Sequence, residues 1–237
     1  MFDVIAFDGD DTLWHNENIY ADVQDKFVRM LSSFSEPETS LARLHEKEMH
    51  NLETFGYGVK GFVVSLIEAA IDLSGGKIPA ACIQQLIDYG REMILANVDV
   101  FEQAAETLEH LAAMYPLALI TKGDLSHQES KLKRSGLKEF FRFVEIVTEK
   151  NVATYAAIFD RHGFHADRVL MVGNSLRSDV LPILELGGWA VHIPYSRTWA
   201  HEEVGIPEEF RSRWTQISHL SQLLSWIASN DGTSSRE

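Results

Sequence analysis

"VIAFDGDDTLW", residues 4–14, joins a run of four apolar residues to three aspartates in four positions. Val4–Phe7 shows no alternation of apolar and polar residues, so it reads as a strand covered on both faces, the habit of parallel sheets. Asp8, Asp10 and Asp11 repel one another wherever they sit. Carboxylates crowded at the mouth of a buried strand point to chemistry that uses them together, such as holding a hard divalent cation that relieves the repulsion.

Four further apolar runs have the same character: Leu117–Ile120, Phe143–Val147, Val169–Val172 and Ala190–Ile193. Before and between the last four lie segments of helical period, marked by Ala105, Leu108 and Leu111, by Val152, Tyr155 and Ile158, and by Val180, Ile183 and Leu184. Strands alternating with helices specify an α/β fold, here a doubly wound, five-stranded parallel sheet.

The first interval breaks the rhythm. Phe7 to Leu117 spans more than 100 residues, whereas a βαβ unit takes about 30. The surplus contains no strand-like run. Its apolar residues recur at helical spacing: Ile19, Val23, Phe27 and Met30; Leu41, Leu44, Leu52 and Phe55; Phe62, Leu66 and Ala70; Ile83, Leu86, Ile87 and Ile94. The domains expected are therefore a discontinuous core, 1–14 with 98–237, and an inserted all-helical cap, 15–97. "TFGYGVKG" (54–61) is a glycine-punctuated turn within the insert.

The net charge is −14, from 35 acids against 21 bases. That balance argues against nucleic-acid backbones and anionic membranes as partners. No apolar stretch approaches the roughly 18–20 residues of a membrane span, and the first residues lack the basic start of a signal peptide, so a cytoplasmic protein is expected. The single cysteine, Cys82, sits in an apolar helical pattern and reads as core. The polar stretch "SNDGTSSRE" (229–237) is expected to fray.

Reactive residues follow four of the five strands: Asp8 and Asp10; Thr121 and Lys122; Lys150; and Asn174, Ser175 and Asp179 in "GNSLRSD" (173–179). In a parallel sheet these ends share one edge, the edge at which ligands bind. Carboxylates, an amide, a hydroxyl and ammonium groups converging there form an inventory for a metal ion and a phosphoryl group.

With these motifs in this order, the chain resembles the haloacid dehalogenase superfamily of phosphotransferases over nearly all its length. Asp8-x-Asp10-x-Thr12-Leu13 is similar to the first family motif, Thr121 to the second, Lys150 to the third, and Gly173-Asn174-Ser175 with Asp179 to the fourth. The insert and "KLKRSGL" (131–137) resemble the subfamily I members with a helical C1-type cap. The resemblance implies a Rossmann-like three-layer core and a Mg2+-dependent phosphohydrolase acting on a small phosphorylated metabolite. Asp8 would be the nucleophile that forms an aspartyl phosphate. Asp10 would protonate the leaving alcohol and then activate water. Thr121, Lys122 and Lys150 would bind the phosphoryl group, and Asp8, Asp10, Asn174 and Asp179 would make the metal shell.

The chain departs from the family pattern twice. Asp11 replaces the usual glycine; it is expected to face solvent and is given no catalytic role. Asn174 replaces the usual aspartate of the fourth motif and brings an amide oxygen without charge. Trp14, His15, Asn16 and Lys60 are further candidates to line the site. A sugar-phosphate mutase, a haloacid dehalogenase and a weakened phosphate-binding protein are the alternatives. The dehalogenase is disfavoured by Asp10, since carbon–halogen cleavage needs no acid for its leaving group.

Overall fold

The computed structural model describes residues 2–196 and 204–230. Residues 231–237, most of the stretch expected to fray, lie outside the described residues. The apolar runs form strands β1 (Val4–Phe7), β2 (Leu117–Lys122), β3 (Phe143–Val147), β4 (Val169–Gly173) and β5 (Trp189–His192). A sixth strand, β6 (Trp214–Gln216), corrects the expected five. All neighbours are parallel, in the order β3-β2-β1-β4-β5-β6. β6 is a three-residue edge strand with no buried residue, so it leaves no apolar run to read.

Successive side chains of a strand point to opposite faces, and the sheet sorts its core accordingly. Ile5, Phe7, Leu119, Leu170 and Val172 pack with Leu108 and Leu111 of α5 (Ala104–Ala112), Leu132 of α6 (Leu125–Ser135) and Leu223 and Ile227 of α9 (Gln222–Asn230). Val4, Ala6, Ile120, Val169 and Met171 pack on the other face with Tyr155, Ile158 and Phe159 of α7 (Val152–His162) and Ile183 of α8 (Leu181–Glu185). Two cores on one sheet make the three-layer, Rossmann-like α/β architecture. β1 pairs with β2 on one side and β4 on the other. The strand order reverses at β1, and the crevice at such a switch point is where ligands of open α/β sheets bind.

The described chain divides into two units. One comprises Met1–Glu17, Val98–Lys122 and Gln128–Glu237; the other comprises Asn18–Asn97 with Gly123–His127. The second contains α1 (Glu17–Met30, from Asn18 on), α2 (Pro37–Phe55), α3 (Val59–Leu73) and α4 (Ala80–Leu95), around Phe27, Leu31, Leu44, Leu66 and Leu86. The α2–α3 turn carries Gly56 and Gly58 at φ 69° and 122°, conformations open chiefly to glycine. Helical spacing identified the helices but not every buried position. Leu41 and Phe55 are exposed, and Cys82 is half-buried rather than core.

The unit boundaries differ from those expected for local reasons. Residues 15–17 stay with the sheet: His15 N–H donates to Asp99 O at 2.9 Å, and Phe101 N–H to Leu13 O at 3.0 Å, so the segments entering and leaving the insert lie side by side. Asp124 goes with the helices through Lys60, whose Nζ lies 2.7 Å from Asp124 Oδ2. Among the described residues no helix is long and apolar enough to cross a membrane.

A buried hydrogen bond helps tie the α7 layer to the β4 end. The Tyr155 hydroxyl donates to Ser178 O at 3.0 Å. Tyr155→Phe removes that donor while keeping the ring, and should cost about 1–3 kcal/mol, read as a lower urea midpoint at unchanged m-value. An unchanged midpoint would show that the bond contributes nothing.

Candidate active site

Asp8 follows β1 directly. Its Oδ1 accepts a hydrogen bond from Lys150 Nζ at 2.5 Å, and its Oδ2 one from Thr12 Oγ1 at 3.3 Å. Lys150 also donates to Asp179 Oδ1 at 2.7 Å. All three charged side chains are buried. Burial alone would push the Lys150 ammonium down, but Asp179 and Asp8 beside it hold it well above the ordinary lysine range. Burial is the main cause that pushes the Asp8 carboxyl up to about 7; Lys150 opposes the rise, and the charges of Asp179 and Asp10 add to it. The cluster of two carboxylates and one ammonium is one positive charge short of neutrality.

Asn174, just beyond β4, faces this deficit. Its side-chain amide stands 3.2 Å from Asp8 Oδ2 and 3.2 Å from the main-chain oxygen of Asp10. Turned with nitrogen toward them, it donates to both. Turned with oxygen toward them, it completes a set of three converging oxygens, the donors that Mg2+ or Ca2+ takes. The residues present therefore fit a hard divalent cation. Asp179 is not one of the converging groups. Its Oδ1 serves Lys150 and its Oδ2 accepts from Ser175 N–H at 3.0 Å, so it braces the ammonium and the β4 loop. Gly173 permits this brace: a Cβ there would lie 2.2 Å from Asp179 Oδ2. Among the described residues no group of three His, Cys, Asp or Glu side chains is placed to hold a metal, so the candidate set depends on the Asn174 amide and the Asp10 carbonyl.

Asp10 sends its carboxylate elsewhere. Oδ1 accepts from Trp14 Nε1 at 2.6 Å and Lys131 Nζ at 2.5 Å; Oδ2 accepts from Lys131 Nζ at 2.7 Å and Gln128 Nε2 at 2.9 Å. Burial raises this acid, but Lys131's charge and the hydrogen bonds of Lys131, Gln128 and Trp14 outweigh it and hold Asp10 below the usual carboxylate range. Gln128 Nε2 also lies 3.2 Å from Thr121 Oγ1, so the ends of β1 and β2 are linked. Lys122 Nζ donates to Ser178 Oγ at 2.9 Å. The structure thus brings Asp8, Asp10, Lys150, Asn174 and Asp179 together, with Thr121 joined through Gln128 and Lys122 through Ser178. Trp14 is buried, and Gly9 lacks the Cβ that would stand 2.6 Å from its indole. The His15 ring lies 4.0 Å from that of Phe101, with Nδ1 2.9 Å from the Tyr195 hydroxyl.

Gln128 and Lys131 were not assigned from sequence. The available signal was their i, i+3 spacing on α6, which places them on one helix face just after the Thr121 motif.

Asp11 does not face solvent, contrary to expectation. It is 4% exposed. Its Oδ1 accepts from the Asn16 and Glu17 amides at 2.9 and 3.1 Å, and its Oδ2 from Glu17 at 3.2 Å. It satisfies amides at the start of α1, which otherwise have no partner within the helix. Its φ of 59° explains why a glycine suits this position and why aspartate, tolerant of the left-handed region, can replace it. Burial pushes the Asp11 carboxyl up to about 7, against the two amide bonds that favour its charge.

Asp11→Gly should lose the cap, about 1 kcal/mol, while relieving the left-handed backbone. Asp11→Ala should lose the cap and keep the strain, costing about 1 kcal/mol more. Chemical denaturation of both variants checks the order. Alanine no worse than glycine would contradict the strained-cap account.

A family model described as haloacid dehalogenase-like hydrolase matches residues 2–187. Among solved structures, a haloacid dehalogenase-like family hydrolase from Xanthomonas campestris is 36% identical, with TM-score 0.86, over 96% of this chain and 91% of that one. The HAD-hydrolase YfnB from Bacillus subtilis, bound to magnesium, is 18% identical with TM-score 0.68, over 96% and 99%. A 2-haloacid dehalogenase from Pseudomonas syringae pv. Tomato is 21% identical with TM-score 0.62, over 97% and 99%. The last two share the fold. None of the curated proteins matches the sequence.

Proposed function

We propose, for a chain that belongs to the haloacid dehalogenase-like hydrolase family, a Mg2+-dependent phosphatase that cleaves a small phosphomonoester through an aspartyl phosphate. One observation carries the reading: the Asn174 amide stands 3.2 Å from both Asp8 Oδ2 and the Asp10 carbonyl oxygen, while Lys150 holds the other oxygen of Asp8. A cation site and an ammonium on either side of one carboxylate suit a dianionic phosphoryl group between them. Carbon–halogen cleavage has use for neither the cation nor Asp10.

Asp8 Oδ attacks phosphorus, and the bond from phosphorus to the ester oxygen breaks. The electron pair leaves with that oxygen, which takes a proton from the Asp10 carboxyl. The Asp10 carboxylate then removes a proton from a water molecule, whose oxygen attacks the phosphorus of the aspartyl phosphate and frees Asp8 and inorganic phosphate. Asp10 ends the two steps protonated, as it entered them, and returns to the resting anion by releasing that proton to solvent. At rest it is the anion, so it is loaded with its proton before the first half of the cycle; its side chain is about a quarter exposed, which lets that proton arrive from solvent. Thr121 and Lys122 line the β2 end of the crevice as donors to phosphoryl oxygens. Mg2+, which Asp8, the Asp10 carbonyl and the Asn174 amide would hold, would supply positive charge that favours ionised Asp8 and offsets the negative charge of the phosphoryl group.

No one group suffices. Hydrolysis of the slowest phosphate monoesters needs acceleration of up to about 10^21, roughly 28 kcal/mol, while a single well-placed donor contributes about 3–4 kcal/mol.

Asp8→Asn should abolish phosphate release from p-nitrophenyl phosphate, by at least about 1,000-fold. Chelator should silence the wild-type protein and Mg2+ restore it. Turnover retained by Asp8→Asn would remove the nucleophile assignment; indifference to chelator would remove the metal.

A further inference from the structure

The carboxylate of Asp10 has roughly four acceptor positions, and four contacts fill them. Trp14 and Gln128 supply one each and Lys131 two. The three donors differ in how freely they can move. Trp14 is fully buried against Gly9. Gln128 is fixed by its further contacts with Thr121 Oγ1 and Lys122 O, at 3.2 and 2.8 Å. Lys131 ends in an ammonium on four methylenes, steadied at 3.1 Å by Asn16 Oδ1. Bridging both carboxylate oxygens, that ammonium can give up one of them and keep the other.

We propose that Lys131 is a positioning residue for the proton-transfer step, holding Asp10 in the orientation that meets the leaving oxygen and yielding one acceptor position as that oxygen arrives. This rests on the phosphatase reading. In the step at issue, the bond from phosphorus to the ester oxygen breaks and that oxygen takes the Asp10 proton. A carboxyl misplaced by 1 Å loses much of its effect, about 100-fold in rate. Without Lys131, Asp10 keeps only Trp14 and Gln128, which bond to different oxygens and leave half the acceptor positions open. Among the described residues Lys131 bonds to Asp10 and Asn16 and not to Asp8 or Asn174, so its loss should spare attack by Asp8 and weaken the two proton transfers at Asp10, to the departing alcohol and from the attacking water.

The dependence on leaving group separates these effects. p-Nitrophenol leaves with little help from an acid, whereas phenol, of nearly the same shape, needs it. In Lys131→Met the kcat/KM for phenyl phosphate, which covers steps only through departure of the alcohol, should fall about 100-fold, and that for p-nitrophenyl phosphate by less than about 5-fold, while the later attack of water, shared by both esters, slows kcat for both. Lys131→Arg, which keeps a cation with paired donors, should recover most of the phenyl phosphate rate. Lys131→Gln supplies the same comparison if the methionine variant does not fold. Equal losses of kcat/KM for the two esters, or no recovery with arginine, would overturn the assignment while leaving the phosphatase reading intact. A wild-type protein inert toward both esters with Mg2+ would overturn the reading and the Lys131 role together.

Discussion

Everything at the crevice depends on one buried ammonium. Lys150 stands between Asp8 and Asp179 at 2.5 and 2.7 Å, with all three groups out of water. A buried charge is tolerated only when paired, and removal of one partner from such a cluster typically costs about 3–5 kcal/mol. Lys150 therefore cannot move without disturbing the ends of both β1 and β4. Nor can it neutralise both carboxylates. The residual negative charge is what makes the facing Asn174 and Asp10 oxygens a place for a cation, while burial, with the charges of Asp179 and Asp10 adding to it, holds the Asp8 carboxyl up near 7 at rest. Structural and chemical demands thus meet in one cluster: it fastens the two central strands and leaves a charge deficit for a divalent ion to fill.

The two aspartates of the opening motif have separate hydrogen-bond and ion-pair partners, although the charge of Asp10 still adds to the rise of Asp8. Asp8 shares Lys150 with Asp179, whereas Asp10 is served by Lys131, Gln128 and Trp14. Neighbouring carboxylates with different partners titrate apart, and different roles follow from that. Two residues along the chain are enough to produce this separation, because the segment after β1 turns sharply: Leu13 N–H returns to Gly9 O at 2.8 Å and Asp11 N–H to Trp14 O at 2.7 Å. Asp11 then occupies the left-handed corner of that turn and uses its side chain to start α1.

How much of this could be read from the residues follows from the range of each interaction. β1, β2, β4 and β5 were legible because buried parallel strands leave near-continuous apolar runs, β3 because its five residues hold four apolar ones although none is fully buried, and the helical insert was legible from its spacing and length. β6 was not, since three half-exposed edge residues leave no such trace. Asp8, Asp10, Thr121, Lys150, Asn174 and Asp179 were visible because each follows directly on a strand or begins the helix after one. The pairing of Asp10 with Lys131 was not, because it joins positions 121 residues apart on elements whose registry the sequence does not state. Asp11 misled for a local reason. A helix cap is ordinarily sought immediately before the first turn, yet Asp11 reaches Asn16 and Glu17 only because the chain doubles back in between.

The central claim is that Asp8 takes the phosphoryl group. Its most direct measurement is chemical trapping: turnover of p-nitrophenyl phosphate with Mg2+ is quenched in acid, the protein is reduced with borohydride, and peptides are mapped by mass spectrometry. An aspartyl phosphate is reduced to homoserine, so the account predicts homoserine at position 8 in the peptide containing Gly9 and Asp10, dependent on substrate. Unmodified Asp8 under conditions of active turnover, or modification at another residue, would contradict it.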